Sequence, residues 1–162
     1  CPMHRMRALR SKMYTIKEYS RQYDSCLLQF LERCLPQSGR SLELDGRHKM
    51  YCNIDEVFEC FWCLFDENDM IGTVALKRLN DEHCELKSLY LLEQYHEKGL
   101  GYQLLKTATL KAQQKGYKKM YLDTLSSSTK AISLYEKMGF VRIGRYNTNY
   151  MADVFMVLKL DH

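Results

Sequence analysis

The sequence predicts an α+β domain with a mixed, mostly antiparallel central sheet flanked by helices. Two apolar strands separated by a polar turn, residues 58–65 and 70–76, predict an antiparallel hairpin. A third strand is predicted at residues 84–92, and apolar residues then follow Gly99 at helical spacing before a further strand begins at Lys119. Because a strand, a helix and a strand in this order predict a parallel crossover, we expect the sheet to be mixed.

Length and composition favour one domain. The 162 residues are 46% hydrophobic and 27% charged, which is a globular composition. A chain of this length can build one real core but is short for two, so we expect residues 1–162 to form a single domain. No apolar run approaches the roughly 18 residues of a membrane span, and the first residues lack the apolar stretch of a signal peptide. We therefore expect no membrane partner.

Charge and cysteine usage narrow the class of protein further. The formal net charge of +4 is mild and the lysines are dispersed, so no nucleic-acid partner is expected. Seven cysteines without paired spacing indicate reduced thiols and a cytoplasmic protein. Cys60 and Cys63 have redox-pair spacing, but they lie in an apolar strand, where residues three apart face opposite sides. We therefore predict structural cysteines and no metal site.

The first third of the chain is predicted to hold one strand and one long helix. The strand is expected at residues 5–11. Thr15 and the glutamate three residues later have the spacing of a capping box, so a helix is predicted to begin there. Its apolar stripe either ends at Pro36 or is divided in two near Asp24. Residues 38–53 are polar and basic and are predicted to form a loop.

The second half of the chain alternates helices and strands. The helix that follows Gly99 is expected to end at Gly116, a good C-terminal cap. The remaining elements are a strand, a short helix and two strands, at residues 119–125, 128–139, 140–146 and 154–160. The last of these strands is apolar, which suits either the interior of the sheet or the edge of a homodimer.

The segment from His96 to Gly101 is the candidate ligand site. It joins a strand to a helix, and its two glycines, Gly99 and Gly101, allow a tight turn and close approach of an anion to the backbone. Free N–H groups and the positive end of the helix dipole attract anions, and Lys98 adds charge. The segment is therefore either a tight turn without a ligand, a dinucleotide-binding fingerprint or a pyrophosphate site for coenzyme A.

The dinucleotide interpretation fits the rest of the chain poorly. It requires a third glycine where Leu104 stands, although Asp123 could serve as the acid that binds ribose. The glycines also follow an antiparallel hairpin, and too few parallel strands come after them. A Walker A site is excluded because no GK[ST] sequence is present.

Four features in order resemble the GNAT superfamily of N-acetyltransferases. They are the strand 85–91, the loop HEKGLG at 96–101, the strand 120–124 and the segment AISLYEKMGF at 131–140. The loop is similar to the family's Q/R-x-x-G-x-G/A, and the last segment is similar to its A-x-x-L-Y-x-K-x-G-F. The motifs cover residues 85–140, and element order extends the match more weakly over 6–160. Two departures are His96, where the family has Gln or Arg, and Ser128, where many members have Asn.

The resemblance implies that the protein transfers the acetyl group of acetyl-CoA to a primary amine, in a small molecule or a peptide, within a ternary complex. It also implies that the fourth and fifth strands splay apart around the pantetheine arm. The expected cofactor contacts lie along the fourth strand, at the following helix start and before the next helix: Leu89, Tyr90, Leu91, His96, Glu97, Lys98, Gly99, Leu100, Gly101, Tyr102 and Ser128.

Proton transfer has two main candidates. By resemblance, Tyr135 is the expected acid for the departing thiolate, and a core tyrosine is the alternative. Glu85, a carboxylate in an apolar strand, is the candidate base, since burial would raise its pKa; a solvated charge at a strand edge is the alternative. His83 and His48 are weaker candidates because both are expected on the surface. A backbone N–H near Leu91 is the expected oxyanion donor.

The acceptor is expected to be selected by the loops at residues 38–53 and 147–153. Tyr146, Asn149 and Tyr150 are candidates to line its pocket, with ordinary hairpin packing as the alternative. A non-catalytic acyl-CoA sensor or interaction domain on the same fold is the alternative function, and a nicotinamide-binding protein is a second rival.

Overall fold

The computed structural model describes residues 14–160, which form a mixed sheet with helices packed on it. The strands are β1 (Tyr14–Glu18), β2 (Cys60–Asp66), β3 (Asp69–Arg78), β4 (His83–Leu91), β5 (Lys119–Thr124), β6 (Val141–Ile143) and β7 (Val154–Lys159). The helices are α1 (Asp24–Gln37), α2 (Ile54–Val57), α3 (Leu100–Gln114) and α4 (Thr129–Met138). Short 3₁₀ turns lie at Arg21–Tyr23, Lys49–Cys52 and Glu93–Tyr95.

The seven strands form one sheet in the order β1-β2-β3-β4-β5-β7-β6. Every neighbouring pair is antiparallel except β4 and β5, which are parallel. The predicted mixed, mostly antiparallel sheet is therefore confirmed. Because β7 lies between β5 and β6, the apolar character of the last strand is explained by its place inside the sheet.

The parallel pair is also the place where the sheet opens. β4 and β5 are paired only from His83–Glu85 to the matching residues 119–121, and beyond Glu85 the two strands separate. Each keeps a full partner on its other side, β3 for β4 and β7 for β5. The result is a V-shaped gap in the middle of the sheet, as the splayed fourth and fifth strands were predicted to form.

The predicted helix from Thr15 is wrong, because these residues form β1. Thr15 and Ile16 are β-branched, and their strand pairs antiparallel with β2 from Tyr14 opposite Asp66 onward. The helix itself begins at Asp24, where a division was expected, and ends one residue after Pro36. The strand predicted at residues 5–11 lies outside the described residues.

The helices of the C-terminal half follow the prediction closely. Gly99 precedes α3 with a φ of 80°, and Gly116, with a φ of 87°, follows its end. α4 ends at Met138, directly before the left-handed Gly139, which is the predicted end of this helix. The strand predicted at residues 140–146 is shorter, since only Val141–Ile143 pair with β7.

Helix α3 packs closely on the sheet beside the gap. A Cβ atom at Gly72 of β3 would lie 3.0 Å from the Tyr90 carbonyl oxygen and 3.2 Å from Leu104 Cδ1 of α3. Glycine at this position therefore allows the start of α3 to lie against the end of β4. Within residues 14–160, no helix combines the length and the apolar character that crossing a bilayer requires.

The two cysteines of β2 are structural, as predicted. Cys63 is fully buried, and burial raises the pKa of its thiol to about 12. Cys60 is half-buried, and its thiol pKa is also raised by burial. Across residues 14–160, His, Cys, Asp and Glu side chains form no group suited to holding a metal ion.

Candidate active site

A bulge in β4 shapes one wall of the gap. The pairing of β4 with β3 shifts register between Thr73 and Ala75, and Ser88 adopts a φ of 55° there. Two contacts hold this conformation. The Thr73 hydroxyl donates to the Ser88 carbonyl at 2.7 Å, and the hydroxyls of Ser88 and buried Tyr51 are hydrogen-bonded at 2.7 Å. The bulge is therefore fixed from β3 and from the loop of residues 38–53.

The end of β4 turns backbone groups toward the gap. The N–H of Leu92 donates to Ile71 on the β3 side at 3.0 Å, so the peptide groups of Leu91 point the other way. The Leu91 carbonyl accepts a 2.9 Å hydrogen bond from His96 Nε2. Two predicted cofactor contacts, Leu91 and His96, thus contact each other here.

The loop into α3 is a cradle of free backbone donors. Glu97 and Gly99 have φ angles of 65° and 80°, and the first bond across the start of α3 runs from the Gln103 N–H to the Gly99 carbonyl at 3.1 Å. Within the described part of the chain, none of the backbone N–H groups of residues 97–102 has an acceptor. These groups lie at the positive end of the α3 dipole, which suits a polyanionic ligand.

The surroundings of the cradle leave it open to solvent. Lys98 is exposed, and Lys130 of α4 lies 3.8 Å from the exposed carboxylate of Glu97. A Cβ atom at Gly101 would lie 3.3 Å from Leu134 Cδ2, so this glycine lets α3 approach α4. Ser128, at the N-terminus of α4, makes no side-chain capping bond, and its hydroxyl is free for a ligand.

Tyr135 is buried on α4 and its ring packs on Phe140, with ring centres 5.7 Å apart. Burial, followed by the neighbouring Tyr90 and Asp123, raises the pKa of Tyr135 well above the ordinary tyrosine value. Among the described residues, its hydroxyl has no hydrogen-bond partner. The side chain is thus a protonated donor without an acceptor of its own.

Two carboxylates and a lysine meet where β4 and β5 separate. Lys87 Nζ lies 3.3 Å from Glu85 Oε1 and 3.5 Å from Asp123 Oδ2. The Tyr146 hydroxyl donates to Glu85 Oε2, and Asn147 Nδ2 donates to Asp123 Oδ2 at 2.6 Å and to Glu85 Oε2 at 3.3 Å. We call these five residues the carboxylate cluster. Glu85 is buried, and the two carboxylates outweigh the single ammonium, which leaves a net negative charge.

Aromatic rings line one side of the carboxylate cluster. The ring of Tyr121 lies 4.9 Å from that of Tyr146 and 5.4 Å from that of His83. Burial and the neighbouring Glu85 raise the pKa of Tyr146 far above its ordinary value, so its hydroxyl remains a donor. His83 is the first residue of β4 and is half-buried beside Tyr121, rather than in a surface turn as expected.

The other predicted side chains divide between the site and the surface. Of the candidates to line the acceptor pocket, Tyr146 joins the carboxylate cluster, while Asn149 and Tyr150 are exposed. The expected surface position of His48 is wrong, because its ring is buried. Its Nδ1 accepts the N–H of Glu43 at 3.0 Å, and burial lowers its pKa, so His48 is held as a neutral ring that braces the loop.

Four residues at the gap are not among those predicted to act there: Tyr51, Lys87, Asp123 and Asn147. Lys87 had a usable signal, since residues two apart on a strand share a face and Glu85 was already a candidate. Asp123 was considered only as an acid that binds ribose. Tyr51 and Asn147 belong to the two loops expected to select the acceptor, but spacing in such loops does not single out individual residues.

Residues 16–140 match the model of the Acetyltransferase (GNAT) family. The chain belongs to this family. It is similar to the uncharacterized N-acetyltransferase YsnE of Bacillus subtilis, with 33% identity over 105 residues that cover 62% of this chain and 69% of that protein. The chain spans between 43% and 69% of the length of the curated relatives it matches.

Solved structures share the fold over most of the chain. A GNAT-family acetyltransferase from Staphylococcus aureus superposes with a TM-score of 0.82 at 21% identity, covering 92% of this chain and all of that one. The PaiA N-acetyltransferase of Thermoplasma acidophilum, solved in complex with coenzyme A, gives a TM-score of 0.71 at 20% identity over 91% of this chain and 99% of that one.

Proposed function

We propose that the chain, as a single domain, transfers the acetyl group of acetyl-CoA to a primary amine within a ternary complex. The observation that carries the proposal is the V-shaped gap with a cradle of free N–H donors at one end and the carboxylate cluster at its vertex. An anionic carrier and a cationic acceptor each find a site of opposite charge there. Membership of the family supports the same function.

The residues around the gap fit the cofactor. The free N–H groups of residues 97–102 would bind its pyrophosphate, with Lys98 and the Ser128 hydroxyl beside them. The Leu91 N–H and the backbone of Leu89 and Tyr90 would line the pantetheine arm along β4. Acetyl-CoA would supply an activated acetyl group as a thioester. Side chains of this chain would then remove a proton from the amine and donate one to the departing sulfur.

Protons have to leave the nitrogen, and one has to reach the sulfur. A primary amine with a pKa of about 10 is almost fully protonated at neutral pH, so a base must remove a proton before the nitrogen can attack. We assign that role to Glu85, which lies where β4 and β5 separate. The departing sulfur needs a proton, and we assign its donation to Tyr135, whose hydroxyl has no other acceptor among the described residues. A backbone N–H near Leu91 would stabilise the oxyanion.

The acceptor would enter beside the carboxylate cluster. The net negative charge of the cluster attracts an ammonium group, and the rings of Tyr121 and Tyr146 offer it faces for cation–π contact. The side chain of Asn147, which contacts both carboxylates, would orient the amine relative to Glu85.

Acetyl-CoA binding and free-thiol release test the function. Calorimetry should detect binding of coenzyme A, and a panel of small amines and peptides with lysine or free N-termini should contain acceptors that release thiol from acetyl-CoA. Binding without turnover on any amine would instead identify a non-catalytic acyl-CoA sensor. If neither binding nor turnover is found, the proposal is wrong. NADH fluorescence should be unchanged on mixing with the protein.

Replacing Gly99 with Ala should raise the Kd for coenzyme A roughly tenfold, because a side chain at a φ of 80° costs about 1–2 kcal/mol. We expect the variant to relieve that strain by rotating the neighbouring peptides, which would turn their N–H groups away from a common point. Calorimetry with coenzyme A measures the effect.

Gly39 supplies the matched control. It has a φ of 78°, and, as at Gly99, no atom lies within 4 Å of an added Cβ. Gly39→Ala should therefore lose similar stability in a denaturation experiment while leaving the Kd for coenzyme A unchanged. Equal effects of the two substitutions on Kd would mean that the cradle does not hold the pyrophosphate.

A further inference from the structure

Lys87 places a primary amine inside the proposed acceptor site. Its Nζ atom lies 3.3 Å from Glu85 and 3.5 Å from Asp123, at the point where β4 and β5 separate. The group occupies the position in which a bound acceptor would present its own ammonium to the proposed base. The chain thus carries a covalently attached analogue of its acceptor.

Other paired lysines differ from Lys87 in both burial and position. The Lys87 side chain is 27% exposed and contacts two carboxylates, whereas Lys115, Lys118 and Lys130 are 34%, 60% and 70% exposed and contact one carboxylate each. Lys115 is the best comparison, since Glu59 also accepts a tyrosine hydroxyl, that of Tyr117, beside its ammonium partner. Among the lysine–carboxylate pairs of residues 14–160, only that of Lys87 stands at the gap between β4 and β5.

We propose that Lys87 is a self-acetylation site, modified by the acetyl-CoA bound to the same chain. The inference rests on the proposed function, because it uses the same cofactor and the same proton acceptor. An attached amine needs no binding step, and tethering a nucleophile near its target raises its effective concentration by orders of magnitude. The modification is therefore expected whenever acetyl-CoA is bound and no external acceptor is present.

The step balances without a further reactant. The Lys87 ammonium gives one proton to Glu85, and its nitrogen then forms a bond to the carbonyl carbon of the thioester. The carbon–sulfur bond breaks, and the sulfur leaves with the bonding electrons and takes a proton from Tyr135. The second proton of the nitrogen passes to solvent, directly or through Asp123. Glu85 then releases its proton and Tyr135 regains one, so both side chains return to their starting state and one proton is released overall. The products are Nε-acetyl-Lys87 and coenzyme A.

Acetylation would change the charge of the acceptor site. Lys87 is the cation that offsets Glu85 and Asp123 in the carboxylate cluster, and an acetyl-lysine is neutral. The two carboxylates would lose their internal counter-ion, and the added acetyl group would enlarge the Lys87 side chain within the cluster. The modified protein is expected to bind external amines with a different affinity from the unmodified one. Acceptor binding would then depend on whether Lys87 has been acetylated.

Mass spectrometry of the purified protein after incubation with acetyl-CoA tests the proposal. The peptide that contains Lys87 should gain one acetyl group with a first-order rate that does not change with protein concentration. Excess coenzyme A, which competes for the cradle, should slow this reaction without slowing acetylation of exposed lysines. Denatured protein should show no preference for Lys87. The Lys87→Arg variant should lose the modification, while Lys115→Arg should keep it.

Each other outcome overturns self-acetylation. Self-acetylation is wrong if the rate at Lys87 rises with protein concentration, because the lysine is then modified by another molecule. It is also wrong if Lys87 of the folded protein reacts no faster than exposed lysines. An unmodified Lys87 in protein that acetylates amines of the panel removes self-acetylation and leaves the proposed function intact. An unmodified Lys87 together with no coenzyme A binding and no turnover removes both.

Discussion

Replacing Tyr135 with Phe is expected to lower kcat about 100-fold, within the range contributed by a positioned general acid. The substitution keeps the buried ring and its packing on Phe140 and removes only the hydroxyl, which has no partner in the described part of the chain. The leaving sulfur would then have to depart without a proton donor. Steady-state kinetics with acetyl-CoA and calorimetry with coenzyme A should show the loss in kcat and an unchanged Kd.

Tyr117→Phe is the control for this experiment. Tyr117 is also buried, but its hydroxyl donates to Glu59, away from the gap. Its removal should lower stability and leave kcat unchanged. If Tyr135→Phe also leaves kcat unchanged, Tyr135 is a core tyrosine and the acid lies elsewhere.

The pH profile offers an independent check on Tyr135. Burial raises its pKa, so the hydroxyl is protonated below that raised value and loses its proton only as the pH climbs through it. An ordinary tyrosine would begin to lose its proton near pH 10. We therefore expect no alkaline fall in kcat below about pH 10 if Tyr135 is the acid.

Replacing Glu85 with Gln is the second substitution expected to have a large effect, about a 100-fold loss in kcat/KM at neutral pH. Glutamine keeps an oxygen that can accept from Tyr146 or Asn147, but it cannot take a proton from the amine. The residual activity should then depend on the free-amine fraction, which rises about tenfold per pH unit below the amine pKa. A rate measurement between neutral and alkaline pH should show this steeper rise in the variant.

Glu59 offers a matched carboxylate outside the gap. Like Glu85, it accepts a tyrosine hydroxyl and pairs with a lysine, in this case Tyr117 and Lys115. Glu59→Gln should affect stability alone. A larger kinetic loss for Asp123→Asn than for Glu85→Gln would transfer the role of base to Asp123, the other carboxylate that contacts Lys87.

The parts of the fold that could be predicted are those whose signals are local. Gly99, Gly116 and Gly139 mark helix boundaries because each adopts a positive φ that glycine tolerates, and all three were read from the sequence. The first element could not be read in this way. Thr15 and the glutamate after it match a helix cap, but their partners are residues of β2 nearly fifty positions along the chain, and that pairing makes them a strand.

The same distinction separates the residues of the candidate site. Glu85 and the cradle at residues 97–102 belong to a strand and a helix start whose patterns are continuous in sequence. The carboxylate cluster depends on contacts between β4, β5 and an irregular loop, so Asn147 carried no local signal. His48 shows that a local signal can also mislead. Its polar sequence neighbours predict an exposed side chain, but the ring is buried.

The short pairing between β4 and β5 divides the sheet into two parts, here called leaves, which only a few backbone hydrogen bonds join. Strands β1 to β4 form one leaf and β5 to β7 the other, and between them only residues 83–85 and 119–121 are in register. Such a short junction has few backbone hydrogen bonds to resist bending. A ligand bound between the two parts of the sheet would contact both of them. Because it binds only the folded chain, its binding free energy would add to the stability of the fold.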